Sequence, residues 1–146
     1  MQIEIQMDSQ CQEPRVIIVT DKITEEINKL IKRLSEEAPP LLVGFRDNTL
    51  EILQPAALIR VYAAGGKVYA VSGKGEYQLR LRLYEVEERL DKSSFVRISN
   101  SEIINLMQVK NFDLSLAGTI CVSFCNGTVT YVSRRYVSKI KQVLGI

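Results

Sequence analysis

Short apolar runs punctuated by turn residues dominate this chain, with two changes of period that mark helices. Ile3, Ile5 and Met7 alternate with polar residues, and Arg15-Val-Ile-Ile-Val-Thr20 is a continuous apolar run, so two short strands are predicted near the start. Ile27, Leu30, Ile31 and Leu34 then recur at helical spacing, with Lys29, Lys32, Arg33 and Glu36 opposite. That spacing predicts an amphipathic helix over residues 23–37, with Asp21 as its cap or a turn residue and Pro39-Pro40 ending it. From Leu41 onward the turn signals Asp47-Asn48, Gly65-Gly66, Gly73-Lys-Gly75, Gly118 and Asn126-Gly127 separate apolar runs, the cadence of consecutive antiparallel strands. Asn126-Gly127, between Ile120-Cys-Val-Ser-Phe124 and Val129-Thr-Tyr-Val132, predicts a hairpin closed by a type I′ turn.

Two further helices interrupt the strands. Leu83, Val86 and Leu90, with Glu85, Glu87 and Glu88 between them, predict a short helix whose acids form one solvated face. At the end, Tyr136, Val137, Ile140, Val143 and Leu144 share one side of a helix, and Arg134, Arg135, Ser138, Lys139, Lys141 and Gln142 the other, with Ser133 as natural N-cap. The expected fold is mostly β, of α+β type: antiparallel sheets with short helices, preceded by a strand-helix extension over residues 1–40 that offers a dimer or partner surface. Residues 41–146 would form the second domain. The extension cannot be a phospho-receiver domain, although Arg15-Val-Ile-Ile-Val-Thr-Asp21 looks like a receiver strand. Such domains need more than twice its length and several clustered carboxylates.

Composition narrows the function by exclusion. The 146 residues are 46% hydrophobic and 25% charged, ordinary for a globular protein. The chain has no His, so general acid–base work would fall to carboxylates or lysines, and no opposed pair of these is visible. Gly73-Lys-Gly75 lacks the rest of a nucleotide-binding loop. Cys121 and Cys125, four apart on a predicted strand, would lie about 13 Å apart, beyond the roughly 7 Å reach of a disulfide, and without His they offer no tetrahedral metal site. Reduced thiols, no cofactor, no small-molecule substrate and no enzymatic activity are expected. No run approaches a membrane span and the start does not look like a signal peptide, so a cytoplasmic location is expected.

Charge distribution points to a polyanion. Net charge is only +2, but residues 1–40 hold 8 acids and 5 bases whereas residues 41–146 hold 9 acids and 14 bases. After Asp113 no carboxylate side chain remains, while Arg134, Arg135, Lys139 and Lys141 follow. A local basic face is what nucleic acid requires. Two segments could do more than attract it. Phe95-Val-Arg-Ile-Ser-Asn-Ser-Glu-Ile-Ile-Asn-Leu106 and, some thirty residues later, Ser133-Arg-Arg-Tyr-Val137 each end an apolar strand and there present Asn, Ser or Arg. Ser99-Asn-Ser-Glu102 also reads as a capping box, with Ser99 as N-cap and Glu102 three residues on, starting a short helix through Ile103, Ile104 and Leu106 whose exposed N–H groups would suit a phosphate. Asn100 could pair with adenine N6 and N7, and Arg135 with guanine O6 and N7. A cation in the first turn of a helix is electrostatically disfavoured, so Arg135 calls for a compensating partner, either an internal carboxylate or a base.

The ordered pair of segments resembles the LytTR family of bacterial transcription regulators, over roughly Leu50 to Ile146. The resemblance implies sequence-specific binding of double-stranded DNA through loops at strand ends, in successive major grooves, and two protomers on repeated half-sites about one helical turn apart are expected because one small module rarely reaches specific affinity. It assigns base reading to Asn100 and Arg135 and backbone contacts to Ser101, Arg134, Tyr136 and Lys139. Lys67, in Gly65-Gly66-Lys67-Val68-Tyr69, is a candidate phosphate contact, and Tyr69 falls where some relatives carry His or another polar contact residue. Glu102 departs from the family pattern, in which an aromatic residue commonly follows the Ser. Small LytTR proteins without receiver domains are often paired with a membrane protein that restrains them, which implies such an inhibitor as a further partner. The rival reading is a protein-interaction module on the same scaffold that does not bind DNA.

Overall fold

A computed structural model describes residues 1–35 and 41–146, which divide into two compact units, Met1–Ala38 and Pro39–Ile146. Among the described residues of the first unit the regular element is the helix α1, Glu25–Ser35. Thr24, not Asp21, caps it: the Ile27 N–H donates to Thr24 Oγ1 at 3.3 Å, and Asp21 sits in a bend. The helix begins two residues later than the apolar period suggested. Its expected end and Pro39-Pro40 lie outside the described residues. Neither strand expected before it is present; the residues from Met1 to Asp21 are irregular and almost all exposed. The physical reason is the lack of a third strand, since an isolated two-stranded ribbon is marginal in water.

Among the described residues of the second unit, ten antiparallel strands form two sheets. The larger takes β1 (Leu42–Arg46), β2 (Thr49–Leu53), β3 (Leu58–Ala64), β4 (Lys67–Ser72), β5 (Gly75–Leu79), β6 (Phe95–Ser99) and β7 (Glu102–Asn105) in the order β2-β1-β5-β4-β3-β7-β6. The smaller takes β8 (Val109–Asp113), β9 (Ile120–Phe124) and β10 (Val129–Val132) in the order β10-β9-β8. The expected mostly-β, antiparallel architecture is therefore the one observed. Helix α2 (Leu83–Arg89) buries Leu83 and Val86, and α3 (Val137–Leu144) buries Ile140.

Two apolar clusters lie on opposite faces of the large sheet. Val61, Val68, Tyr77, Leu79 and Ile103 pack with Leu83, Val86 and Leu90 on one side. Val96, Ile98 and Ile104 pack with Ile120, Val122, Phe124, Val132 and Ile140 on the other, where the small sheet and α3 sit. Strands β6 and β7 are thus buried on both faces, which corrects the helix expected from Ser99 to Leu106. Ile103 and Ile104 enter different clusters, an arrangement only a strand allows, since neighbouring side chains on a strand point to opposite faces. Tertiary pairing overrides the local capping signal.

Turn chemistry is also redistributed. The β9–β10 hairpin forms where Asn126-Gly127 predicts it, but only Gly127 has positive φ, at 87°. Phe124 N–H donates to Thr128 O, so three residues close the loop and Gly127 takes the left-handed position after a tight turn. Asn126 instead accepts through Oδ1 from the backbone and hydroxyl of Thr128. Paired positive φ values occur at Asp47-Asn48 (49° and 64°) and at Gly65-Gly66 (58° and 78°), the two-residue connections of β1–β2 and β3–β4.

Candidate nucleic-acid interface

One end of the second unit gathers three connections that are remote in sequence. The β6–β7 turn is Asn100-Ser101, closed by the Ser99↔Glu102 pair. Ser101 N–H donates to Ser99 Oγ at 3.2 Å, and the Ser101 carbonyl accepts from Ala63 N–H at 2.8 Å. That second bond ties the turn to the end of β3, one residue before the Ala64↔Lys67 pair that closes the Gly65-Gly66 turn. From the small sheet, Ser133 N–H donates to Ile98 O at 2.9 Å, which brings the 3-10 turn Arg134–Tyr136 beside the end of β6. Across the gap the Tyr136 hydroxyl donates to Asn100 Oδ1 at 3.2 Å. Lys67, Asn100, Ser101, Arg134, Arg135 and Lys139 are exposed, whereas Tyr136 is half-buried against the second cluster.

Ser133 precedes the last helical segment but does not cap it through its hydroxyl. A 3-10 turn intervenes, and α3 itself starts after Tyr136. Arg135 therefore sits in that 3-10 turn, directly before Tyr136, the N-cap of α3. No intramolecular ion pair holds it: the carboxylate contacts among the described residues involve Lys29, Arg46, Arg60 and Arg97. Among the described residues Arg134, Lys67 and Lys139 are equally without a carboxylate. This is an uncompensated positive flank.

Tyr69 is set back from that end. It lies on β4 opposite Tyr62, their ring centroids 5.4 Å apart, on the same face of the large sheet as Lys67 two residues before it. Arg60 stacks over Tyr62 at 4.6 Å, and the Tyr62 hydroxyl bonds to Glu76, which pushes its pKa up to about 12. The Tyr62 phenol stays protonated throughout the useful pH range.

Beneath the turn lies a support that sequence reasoning missed. Arg97 on β6 donates through Nη1 to the Asn100 carbonyl at 2.9 Å and through Nε to Glu87 of α2 at 2.9 Å. The acids of α2 do lie on a solvent-facing side, the Glu87 side chain being 42% exposed, but Glu87 is also tied to Arg97, and Glu85 accepts from the Arg82 N–H. Glu102, expected at the start of a helix, points between the sheets, where its side chain is 12% exposed. It accepts from Thr130 Oγ1 at 3.0 Å and lies 3.4 Å from Arg60 Nε, a contact too poorly aligned to be a hydrogen bond. Burial pushes its carboxyl pKa up, and Arg60 and Thr130 pull it back in part. No spacing rule reveals such pairs, because Glu87–Arg97 and Arg60–Glu102 arise only once the strands are in register.

Strand ends presenting Asn, Ser and Arg thus lie beside a basic flank that no carboxylate among the described residues pairs. The family model described as the LytTr DNA-binding domain matches residues 48–145, and the chain belongs to that family. Over its full length it is 29% identical to HTH-type transcriptional regulators of Staphylococcus aureus strains MSSA476 and NCTC 8325, covering 99% of each. A solved LytTr DNA-binding domain from Bacillus cereus superposes with a TM-score of 0.70 at 24% identity, over 73% of this chain and 97% of that one, and so shares the fold. The relatives' names say helix-turn-helix; in this chain five strands separate α2 from α3. No helix among the described residues is long and apolar enough to cross a membrane.

Proposed function

We propose that this chain is a transcription regulator that reads double-stranded DNA sequence through turns at strand ends, two protomers binding repeated half-sites about one helical turn apart. The observation that carries this reading is the Tyr136–Asn100 bond, which joins two polar connections from different sheets at one exposed, basic end. Asn100 Oδ1 has a second lone pair for an adenine N6–H while Nδ2 faces N7. Arg135, which has no carboxylate partner among the described residues, would take guanine O6 and N7. Ser101, Arg134, Lys67 and Lys139 would bond or pair with phosphates, and the Tyr69 ring edge would lie along the backbone.

Tyr136 takes a different role in this scheme from a phosphate contact. Its hydroxyl is already spent on Asn100, so it fixes which way the amide points. The Arg97 guanidinium acts similarly from below, holding the carbonyl of the same residue and being held in turn by Glu87. A reading residue fixed at both its backbone and its side chain loses less freedom on binding.

Gel-shift titration against a library of random duplexes at two salt concentrations tests the proposal. A recovered consensus, bound more weakly at the higher salt, is the expected result. Negligible binding at either salt would overturn it and assign the scaffold to protein recognition.

A further inference from the structure

Residues 1–35 carry an apolar load that their own unit covers only in part, Ile18, Ile27 and Leu30 being half-buried and the last two lying beside Met1. Ile3, Ile5, Met7, Val16, Ile17, Val19 and Ile23 are all exposed. Among the described residues no backbone-to-backbone hydrogen bond outside α1 involves residues 12–23. Helix α1 buries none of its residues, although Ile27, Leu30, Ile31 and Leu34 form one stripe along it. Apolar surface on this scale marks an association site.

The charges say what covers it. In α1 the acids Glu25 and Glu26 occupy the first turn and the bases Lys32 and Arg33 the last. Glu26 and Arg33 are seven residues apart, so they flank the apolar stripe on the same side, two turns from each other. A second helix of the same sequence laid antiparallel would set each Glu26 opposite an Arg33, twice over by two-fold symmetry. In that register Ile27 would lie between Ile31 and Leu34 of the second copy, and Leu30 beside its own counterpart. A parallel pair would instead bring like charges together. Residues 15–21 show the same self-complementarity: an antiparallel pairing centred on Ile18 sets Arg15 opposite Asp21, Val16 opposite Thr20 and Ile17 opposite Val19.

We propose that the Met1–Ala38 unit is a homodimer surface in which α1 packs antiparallel on α1 of a second copy. The proposal does not rest on the DNA-binding reading and is tested without DNA. A bland account exists, because acids first and bases last also suit the dipole of a lone helix. Charge exchange separates the two accounts.

Sedimentation equilibrium of the full chain is the measurement. The unaltered chain is expected to be dimeric, and Arg33→Glu, which faces two carboxylate pairs, to raise its dissociation constant roughly tenfold. Glu26→Arg combined with Arg33→Glu is expected to return it to within about threefold of the starting value, although that exchange opposes the helix dipole. Leu30→Ser with Ile31→Ser, which leaves the charges alone, is expected to raise it by about a hundredfold or more. A chain that stays monomeric up to about 100 µM, or an exchange that restores nothing, would overturn the proposal and give the face to a different protein.

Discussion

Arg15-Val-Ile-Ile-Val-Thr20 and Phe95-Val-Arg-Ile-Ser99 are apolar runs of similar length and composition, yet Val16, Ile17 and Val19 are 69, 71 and 93% exposed whereas Val96 and Ile98 are 6 and 0% exposed. The difference lies outside the runs. Phe95–Ser99 pairs with β7 along one edge and meets a second sheet on one face and α2 on the other. Arg15–Thr20 has no such partners in its own unit. Apolar pattern specifies a surface to be buried, and only the surrounding topology, or another chain, decides where.

The contrast is sharpest in the core. Phe124→Ala, at a side chain fully buried between the sheets, is expected to destabilise the fold by about 3–5 kcal/mol in denaturant unfolding. Next comes Glu102→Ala, which strands Arg60 and Thr130 between the sheets and is expected to cost about 2–4 kcal/mol by the same measurement. At the exposed end the effect moves from stability to binding. Arg135→Ala should leave unfolding unchanged but weaken the selected DNA site by about 1–3 kcal/mol, and Lys139→Ala should weaken all sequences alike and lower the salt slope by about one. The smallest effect is expected at Val19→Ser, below about 0.5 kcal/mol in unfolding at concentrations where the chain is monomeric. A larger value would mean that the first region is buried after all.

Acid should distinguish the same regions. Burial raises the Glu102 pKa above its ordinary 4.5, so the folded state holds this proton more tightly than the unfolded chain does. The stability it contributes is present below the ordinary value and lost as pH rises through the folded one. Glu102→Gln is expected to flatten that part of the stability profile, and an unchanged profile would remove Glu102 as its source.

What was legible in the sequence was whatever local period and turn chemistry control. The strand cadence after Leu41, the helices carrying Leu83 and Ile140, and the β9–β10 hairpin all follow from spacing. The failures share a cause. Ser99-Asn-Ser-Glu102 is a good capping box, but Ile103 and Ile104 are each needed in a different cluster. Gly127 satisfies its turn without the second positive φ that Asn126 could have supplied. The apolar alternation at Ile3, Ile5 and Met7 finds no neighbouring strand. In the candidate site, Asn100 and Arg135 could be singled out by chemistry, whereas the Glu87–Arg97 support, the inward Glu102 and the Tyr136–Asn100 bond depend on contacts between residues 10 to 42 positions apart.

Base-preference profiles for the unaltered chain, Asn100→Ala and Arg135→Ala, selected from one random duplex library at a single salt concentration, test the central claim most directly. The account predicts that each substitution erases preference at its own position, adenine for Asn100 and guanine for Arg135, with the two positions in successive major grooves of the same half-site. Profiles that stay unchanged, or that change at one shared base pair, would contradict it.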